Sequence, residues 1–156
     1  MKSFKFGLGL ITGAALMVAA VQPAYAGEQK TRPILGIPKS ALDDFGGAAG
    51  VHAWVESLFY YIMLDNRISH IFREFGNVER QVALNTQLEQ MVLGGAVEYQ
   101  GASMSAAHAD LGITMTQFNA VVEAAYNACE RNLVPYKTCN HLIAALAPFT
   151  RVIVTR

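Results

Sequence analysis

The sequence has few charged residues and no excess of either sign. Its 156 residues include 12 lysines and arginines and 12 aspartates and glutamates, which together make up 15% of the chain. A protein that binds nucleic acid carries a basic surface, because it must neutralise backbone phosphates. The composition therefore predicts no nucleic-acid partner.

Cysteine is also scarce, since only Cys129 and Cys139 are present. There is no Cys-x-x-Cys-His sequence, so covalent attachment of a c-type haem is not indicated. Two cysteines ten residues apart in an oxidising compartment can form a disulfide, whose short loop would contribute roughly 2 to 3 kcal/mol. Two buried free thiols are the alternative, because the helices must bring the Cβ atoms within reach of each other. The sequence leaves both possibilities open.

The longest apolar run lies at the N-terminus. Residues 1–26 combine two lysines, an apolar run from residue 8 to residue 21, and the sequence Ala24-Tyr25-Ala26. This pattern is typical of a secretory signal peptide with a small-x-small cleavage site. The run is interrupted by glycines and is short for the roughly 20 residues that cross a bilayer, which disfavours an uncleaved membrane anchor. We expect a periplasmic or secreted mature chain without a stable membrane span.

The rest of the chain predicts a flexible leader followed by one all-α domain. Residues 27–39 hold two prolines and two glycines without periodicity. In residues 40–156, apolar side chains recur at spacings of three and four, and no strand alternation is present. We expect helices over residues 40–45, 48–64, 66–72, 77–93, 104–111, 114–132 and 138–153. Pro148 should kink or split the last of them.

The histidines do not by themselves reveal a site. His108 is flanked by alanines, so little side-chain bulk separates its helix from whatever it faces. No second histidine or cysteine lies three or four residues away, which argues against zinc. On these residues alone, an ordinary core or surface histidine is the favoured interpretation. His52, His70 and His141 also appear ordinary.

One helix face carries two amides among apolar residues. Gln81, Leu84, Asn85 and Leu88 share a face of the helix over residues 77–93. A buried amide without a partner costs roughly 1 to 3 kcal/mol. Gln81 and Asn85 therefore either lie at the rim of the core or face a ligand cavity, for which Phe59 and Phe72 could be aromatic walls.

Five motifs together resemble a known family. The stretches "LDDFGG", "LFYYIMLDNRISHIF", "VLGGAVEYQG", "MSAAHADLGIT" and "FNAVVEA" follow one another in the order and spacing of the group 1 truncated haemoglobins. The resemblance covers about residues 40–135. Its most specific part is the block from Gly94 to Gly101 followed by the block from His108 to Ile113.

The resemblance implies a truncated globin fold, which is a two-over-two sandwich of helices around haem b. His108 would be the proximal ligand of the iron, since a neutral imidazole nitrogen is an established haem ligand. Phe72 would pack against the haem face, and Leu84 and Leu88 would lie on the helix that covers the distal side. Arg80 and Tyr99 are candidate contacts for the haem propionates because of their positions at helix ends.

The distal side departs from the pattern of the family. Phe59 stands where members usually have a tyrosine that donates a hydrogen bond to bound oxygen, although a shift of one residue would bring Tyr60 into the pocket. Without that shift, only Gln81 and Asn85 could donate. Leu84 stands where some members carry a second histidine ligand, so six-coordinate bis-histidine iron is not expected.

The implied function is reversible binding of a diatomic gas, such as oxygen, nitric oxide or carbon monoxide, at an open distal position. This would suit oxygen binding or transport. A haem-dependent nitric oxide dioxygenase or peroxidase-like enzyme, supplied by a reductase, is one alternative. A helical interaction module that has lost its haem is the other.

Overall fold

The computed structural model describes residues 36–156, and within them it is helical. The helices are α1 (Ala41–Asp44), α2 (Gly47–Leu64), α3 (Ser69–Glu74), α4 (Val78–Val92), α5 (Met104–Ala107), α6 (Met115–Arg131), α7 (Tyr136–Leu146) and α8 (Thr150–Ile153). A 3-10 turn, Ala147–Phe149, separates α7 from α8. The predicted signal peptide and most of the predicted leader lie outside the described residues. The prediction of an all-α fold is confirmed for the described part of the chain.

Two long helices form the centre of the molecule. Helix α2 packs against both α6 and α4, and α6 packs against α7. One face of α2 is fully buried at Val51, Trp54, Val55 and Ile62, at the spacing of three and four expected for an inward helix face. Alanines on α6, including Ala124 and Ala128, let its backbone approach α2 closely. The resulting pairs, α2 with α4 and α6 with α7, give two layers of two helices.

Some helix ends differ from the sequence predictions. Helix α5 ends at Ala107 and not at residue 111, because the backbone leaves helical geometry at His108 and becomes left-handed at Asp110, where φ is 62°. The last predicted helix begins earlier, at Tyr136, directly after Pro135. Pro148 splits it as predicted. Ser40 stands before α1, but its side chain makes no capping hydrogen bond.

A disulfide bond joins α6 to α7. It links Cys129 to Cys139, and both residues are buried. The indole Nε1 of Trp54 donates a hydrogen bond to Cys129 Sγ at 3.2 Å, so the bond is also in contact with α2. Of the two possibilities that the sequence left open, the disulfide is the one found.

The end of the chain returns to the segment that follows α5. Val154 forms a parallel bridge with Ile113, and the amides of Thr155 and Arg156 donate to the Ile113 carbonyl at 3.0 and 3.2 Å. These bonds fix the short connection between α5 and α6. No helix within residues 36–156 is long and apolar enough to cross a membrane.

Candidate functional site

A large cavity lies between the two helix layers. Its volume is about 320 Å³, which is in the range of sites that hold a small organic molecule or cofactor. Most of its wall is apolar and comes from α2, α3, α4, α6 and α7. The polar or titratable side chains in that wall are Gln81, Asn85, Glu89, Tyr99, His108 and Gln117.

His108 lines this cavity from the end of α5. Its Nδ1 lies 2.7 Å from the carbonyl oxygen of Met104, four residues earlier in the chain. A carbonyl can only accept, so Nδ1 carries the proton and donates it. The second ring nitrogen, Nε2, then has a lone pair for a metal ion. The Met104 carbonyl is thus the acceptor that fixes the tautomer of His108.

Local sequence explains why His108 takes this position. The hydroxyl of Ser103 accepts a hydrogen bond from the amide of Ala106 and starts α5. The helix is a single turn that ends directly before His108, so the Met104 carbonyl lies one turn earlier in the chain, within reach of the imidazole Nδ1. Because the neighbouring side chains are alanines, a planar molecule could approach the ring closely.

Aromatic residues cover another part of the wall. The rings of Phe59 and Phe72 meet edge to face with centroids 5.6 Å apart, and both residues line the cavity. Tyr60 does not line it. Half of Tyr60 is exposed, and the Arg131 guanidinium lies 4.8 Å from the centre of its ring. The Tyr60 side chain is therefore on a face of α2 that does not line the cavity. The one-residue shift that would have placed it in the pocket is absent.

The two amides of α4 face the cavity, as the sequence suggested they could. Gln81 Nε2 donates to the Phe72 carbonyl at 3.4 Å, and Asn85 Nδ2 donates to the Gln81 carbonyl at 2.9 Å. Each amide nitrogen has two hydrogens, so each retains one for a ligand. Gln81 Oε1 is buried and has no hydrogen-bond partner among the described residues. Leu84 and Leu88 lie on the same wall.

Tyr99 lines the cavity, whereas Arg80 lies outside its wall. The Tyr99 hydroxyl donates to the Ala102 carbonyl at 3.1 Å. Burial raises the pKa of Tyr99, and the positive charge of Arg80 opposes that shift. Gly101 ends the block that begins at Gly94, and a Cβ at that position would collide with the Tyr99 ring. Gly76 likewise leaves room for the Gln81 amide.

Glu89 is a further cavity residue, which the sequence-based predictions did not include. Only 3% of the Glu89 surface is exposed, and the residue lines the cavity. Its Oε2 atom has no hydrogen-bond partner among the described residues. Burial raises the pKa of Glu89 to about 8. The spacing of four from Gln81 to Asn85 to Glu89 was a usable signal, but a glutamate on an amphipathic helix is ordinarily assigned to the solvent face.

These residues fit a haem. The cavity offers an imidazole with a free Nε2, apolar and aromatic walls, and polar groups on the α4 side that lack partners of their own. Fold and cavity together define the class of the protein: an all-helical protein with a pocket suited to a planar, largely apolar cofactor.

Comparison with known proteins identifies the family. Residues 40–155 match the family described as bacterial-like globin, so the chain belongs to that family. Membership implies a protein that binds haem and a gas ligand. A group 1 truncated hemoglobin from Tetrahymena thermophila is 30% identical over 84 residues, which are 54% of this chain and 69% of that protein.

Two solved structures share the fold. The truncated hemoglobin from Tetrahymena pyriformis in its Fe(III) form superimposes with a TM-score of 0.70 at 21% identity, over 74% of this chain and 98% of that one. A 2/2 hemoglobin from Synechococcus gives a TM-score of 0.68 at 23% identity, over the same shares of the two chains. The prediction of a truncated globin fold is confirmed.

Proposed function

We propose that this globin binds haem b through His108 Nε2 and holds a diatomic gas, oxygen or nitric oxide, on the opposite side of the ring. The observation that carries the proposal is the 2.7 Å hydrogen bond from His108 Nδ1 to the Met104 carbonyl. It fixes the tautomer and the orientation of the ring, and such second partners accompany histidines that bind metals. The haem supplies an iron with an open coordination position when it is bound.

The remaining residues would hold the cofactor and the gas. Phe72 would pack against the ring, with Leu84 and Leu88 on the same side as the gas. The free amide hydrogens of Gln81 and Asn85 would donate to the bound molecule, since Phe59 has no hydroxyl. Tyr99 and Arg80 would stand beside the haem propionates, where a hydroxyl and a guanidinium can donate to carboxylates.

We also propose that the mature protein works in the periplasm or outside the cell. The signal-like sequence of residues 1–26 and the disulfide between Cys129 and Cys139 support this location, because disulfides persist in oxidising compartments. Protein recovered from the periplasm or medium should begin at Gly27, which mass spectrometry would measure. A mature chain that keeps residues 1–26 would contradict the proposal.

Haem titration tests the assignment of His108. Purified protein given haemin should show a Soret band that shifts on reduction and again on addition of carbon monoxide. His108→Ala should lose the band positions of histidine-ligated iron, and added imidazole should restore them. His70→Ala, which removes an exposed histidine, should behave as the unchanged protein.

Two results would defeat this function. Absence of any Soret change in the unchanged protein would favour a helical module without haem. Identical spectra for the unchanged protein and His108→Ala would show that another residue ligates the iron. Sustained consumption of nitric oxide with a reductant present would add a redox reaction, with a reductase as partner, to simple binding.

A further inference from the structure

Glu89 is the third member of a polar line along the cavity wall. Gln81, Asn85 and Glu89 follow one another at intervals of four residues on α4, so they stand on one face about 6 Å apart along the helix axis. Gln81 and Asn85 donate to carbonyls of the protein, but Glu89 Oε2 has no hydrogen-bond partner among the described residues. The line therefore ends in a buried acceptor that has no hydrogen-bond partner, on a residue that lines the cavity.

The surroundings of Glu89 offer no counter-charge. No lysine or arginine is among the residues in 36–156 that line the cavity, and the other titratable groups there are Tyr99 and His108. A buried carboxylate without a cation or donor is strongly disfavoured, so the neutral acid is the form expected at neutral pH. The raised pKa, about 8, agrees with this and has burial as its cause.

We propose that Glu89 is a proton-exchange site of the cavity, which passes a proton to and from small protic ligands that enter as weak acids and bind as their conjugate bases. The proposal rests on the proposed function, because such a ligand needs the haem iron as its second partner. The geometry that carries it is a buried carboxyl group on the cavity wall, one oxygen of which has no hydrogen-bond partner among the described residues.

Hydrogen cyanide is a suitable probe of this step. It enters as a neutral molecule and binds as cyanide, so its H–C bond must break. The proton passes to ionised Glu89 and forms a carboxylic acid, while the electron pair stays on the carbon of cyanide. In the reverse direction, the acid returns the proton to the departing anion. No oxidant or reductant is required.

The first experiment observes the protonation of Glu89 directly and does not require haem. Infrared spectra of the unchanged protein at pH 6 should show the C=O stretching band of a protonated carboxylic acid, which disappears as the pH rises through about 8. The band should be missing in Glu89→Gln, which keeps the shape of the side chain, and should persist in Glu79→Gln, which changes an exposed glutamate of the same helix. A protein without this band at pH 6 would overturn the proposal.

The second experiment measures cyanide association with the ferric, haem-loaded protein from pH 6 to pH 9.5. The rate constant of the unchanged protein is divided by that of Glu89→Gln. This ratio cancels the effects of the ionisation of hydrogen cyanide and of iron-bound water, since both proteins share them. This ratio should be near one at pH 6 and rise about a hundredfold above pH 8, the lower end of what a positioned acid–base group supplies. The rate constant of the unchanged protein divided by that of Glu79→Gln should stay at one.

The outcomes separate this proposal from the proposed function. A ratio that stays at one at every pH, in protein that binds haem and carbon monoxide normally, would overturn proton exchange and leave gas binding intact. A protein that takes up no haem would defeat the proposed function, and the infrared titration would then decide whether Glu89 holds a proton in the cavity.

Discussion

At the scale of single residues, the two sides of the cavity differ in how far the sequence predicts them. His108 is recognisable from the motif around it, but its partner is a backbone carbonyl, which no side-chain pattern can reveal. The sequence alone could not decide whether Phe59 or Tyr60 faces the cavity, because a rotation of α2 by one residue would exchange their positions. Only packing against Phe72 on one side and Arg131 on the other decides the question.

The difference between Phe59 and Tyr60 yields a test. Phe59→Tyr should slow the dissociation of oxygen roughly fivefold, because one new hydrogen bond to the bound gas contributes about 1 kcal/mol. Stopped-flow measurement of oxygen release from the ferrous protein gives the rate. Tyr60→Phe removes a hydroxyl outside the cavity and should leave this rate unchanged. A larger effect from Tyr60→Phe than from Phe59→Tyr would mean that the wrong aromatic has been assigned to the pocket.

Glu89 should make the folded protein less stable as the pH rises. Its pKa is about 8 when folded and near the ordinary value of 4.5 when unfolded, so the folded state binds more protons between these values. The free energy of unfolding should therefore fall from pH 4.5 to pH 8, with a loss from this group of about 2 kcal/mol between pH 6 and pH 8. Urea unfolding of Glu89→Gln should lack this loss. Glu79→Gln should retain it, and equal pH profiles for the two variants would refute the assignment.

At the scale of elements, the sequence predicted the long helices closely but not the end of α5. Helices α2, α4 and α6 bury apolar side chains at regular spacings, and α4 and α6 begin at side chains that accept a capping hydrogen bond. Helix α5 is a single turn, so its end depends on the backbone at Asp110 and on the pairing of Ile113 with Val154. Such tertiary contacts leave no periodic trace in the sequence.

The cap of α6 can be tested directly. The Thr114 hydroxyl accepts from the Gln117 amide, and the Gln117 side chain accepts from the Thr114 amide, which is a complete capping box. Thr114→Ala should reduce the free energy of unfolding by about 1 kcal/mol. Thr116→Ala changes an exposed residue inside the first turn and should have no destabilising effect, since alanine favours helix. Chemical denaturation measures both, and equal losses would argue against the cap.

At the scale of the whole molecule, the disulfide holds together helices that also form the cavity wall. Cys129 on α6 and Cys139 on α7 close a short loop, while Phe118 on α6 and Ile143 on α7 line the cavity. The spacing of the cysteines showed that a bond was possible. Whether the helices would bring the two Cβ atoms together depended on the turn between them, and the sequence could not decide it.

Removal of both cysteines should weaken the fold measurably. The double variant Cys129→Ala and Cys139→Ala should lose about 3 kcal/mol of unfolding free energy, the chain-entropy contribution of a loop of this length. A reducing agent should produce a similar loss in the unchanged protein and none in the double variant, as measured by urea unfolding. If reduction left the stability of the unchanged protein intact, the bond would have no stabilising role.

The pairing of Val154 with Ile113 sets an order of events during synthesis. A ribosome makes the chain from residue 1 onward. The carbonyl of Ile113 is therefore made about forty residues before the amides of Thr155 and Arg156, which donate hydrogen bonds to it. The connection that follows His108 is therefore completed only after α6, α7 and α8 have been made. The histidine side of the pocket therefore cannot take its final form before residue 156 has been made.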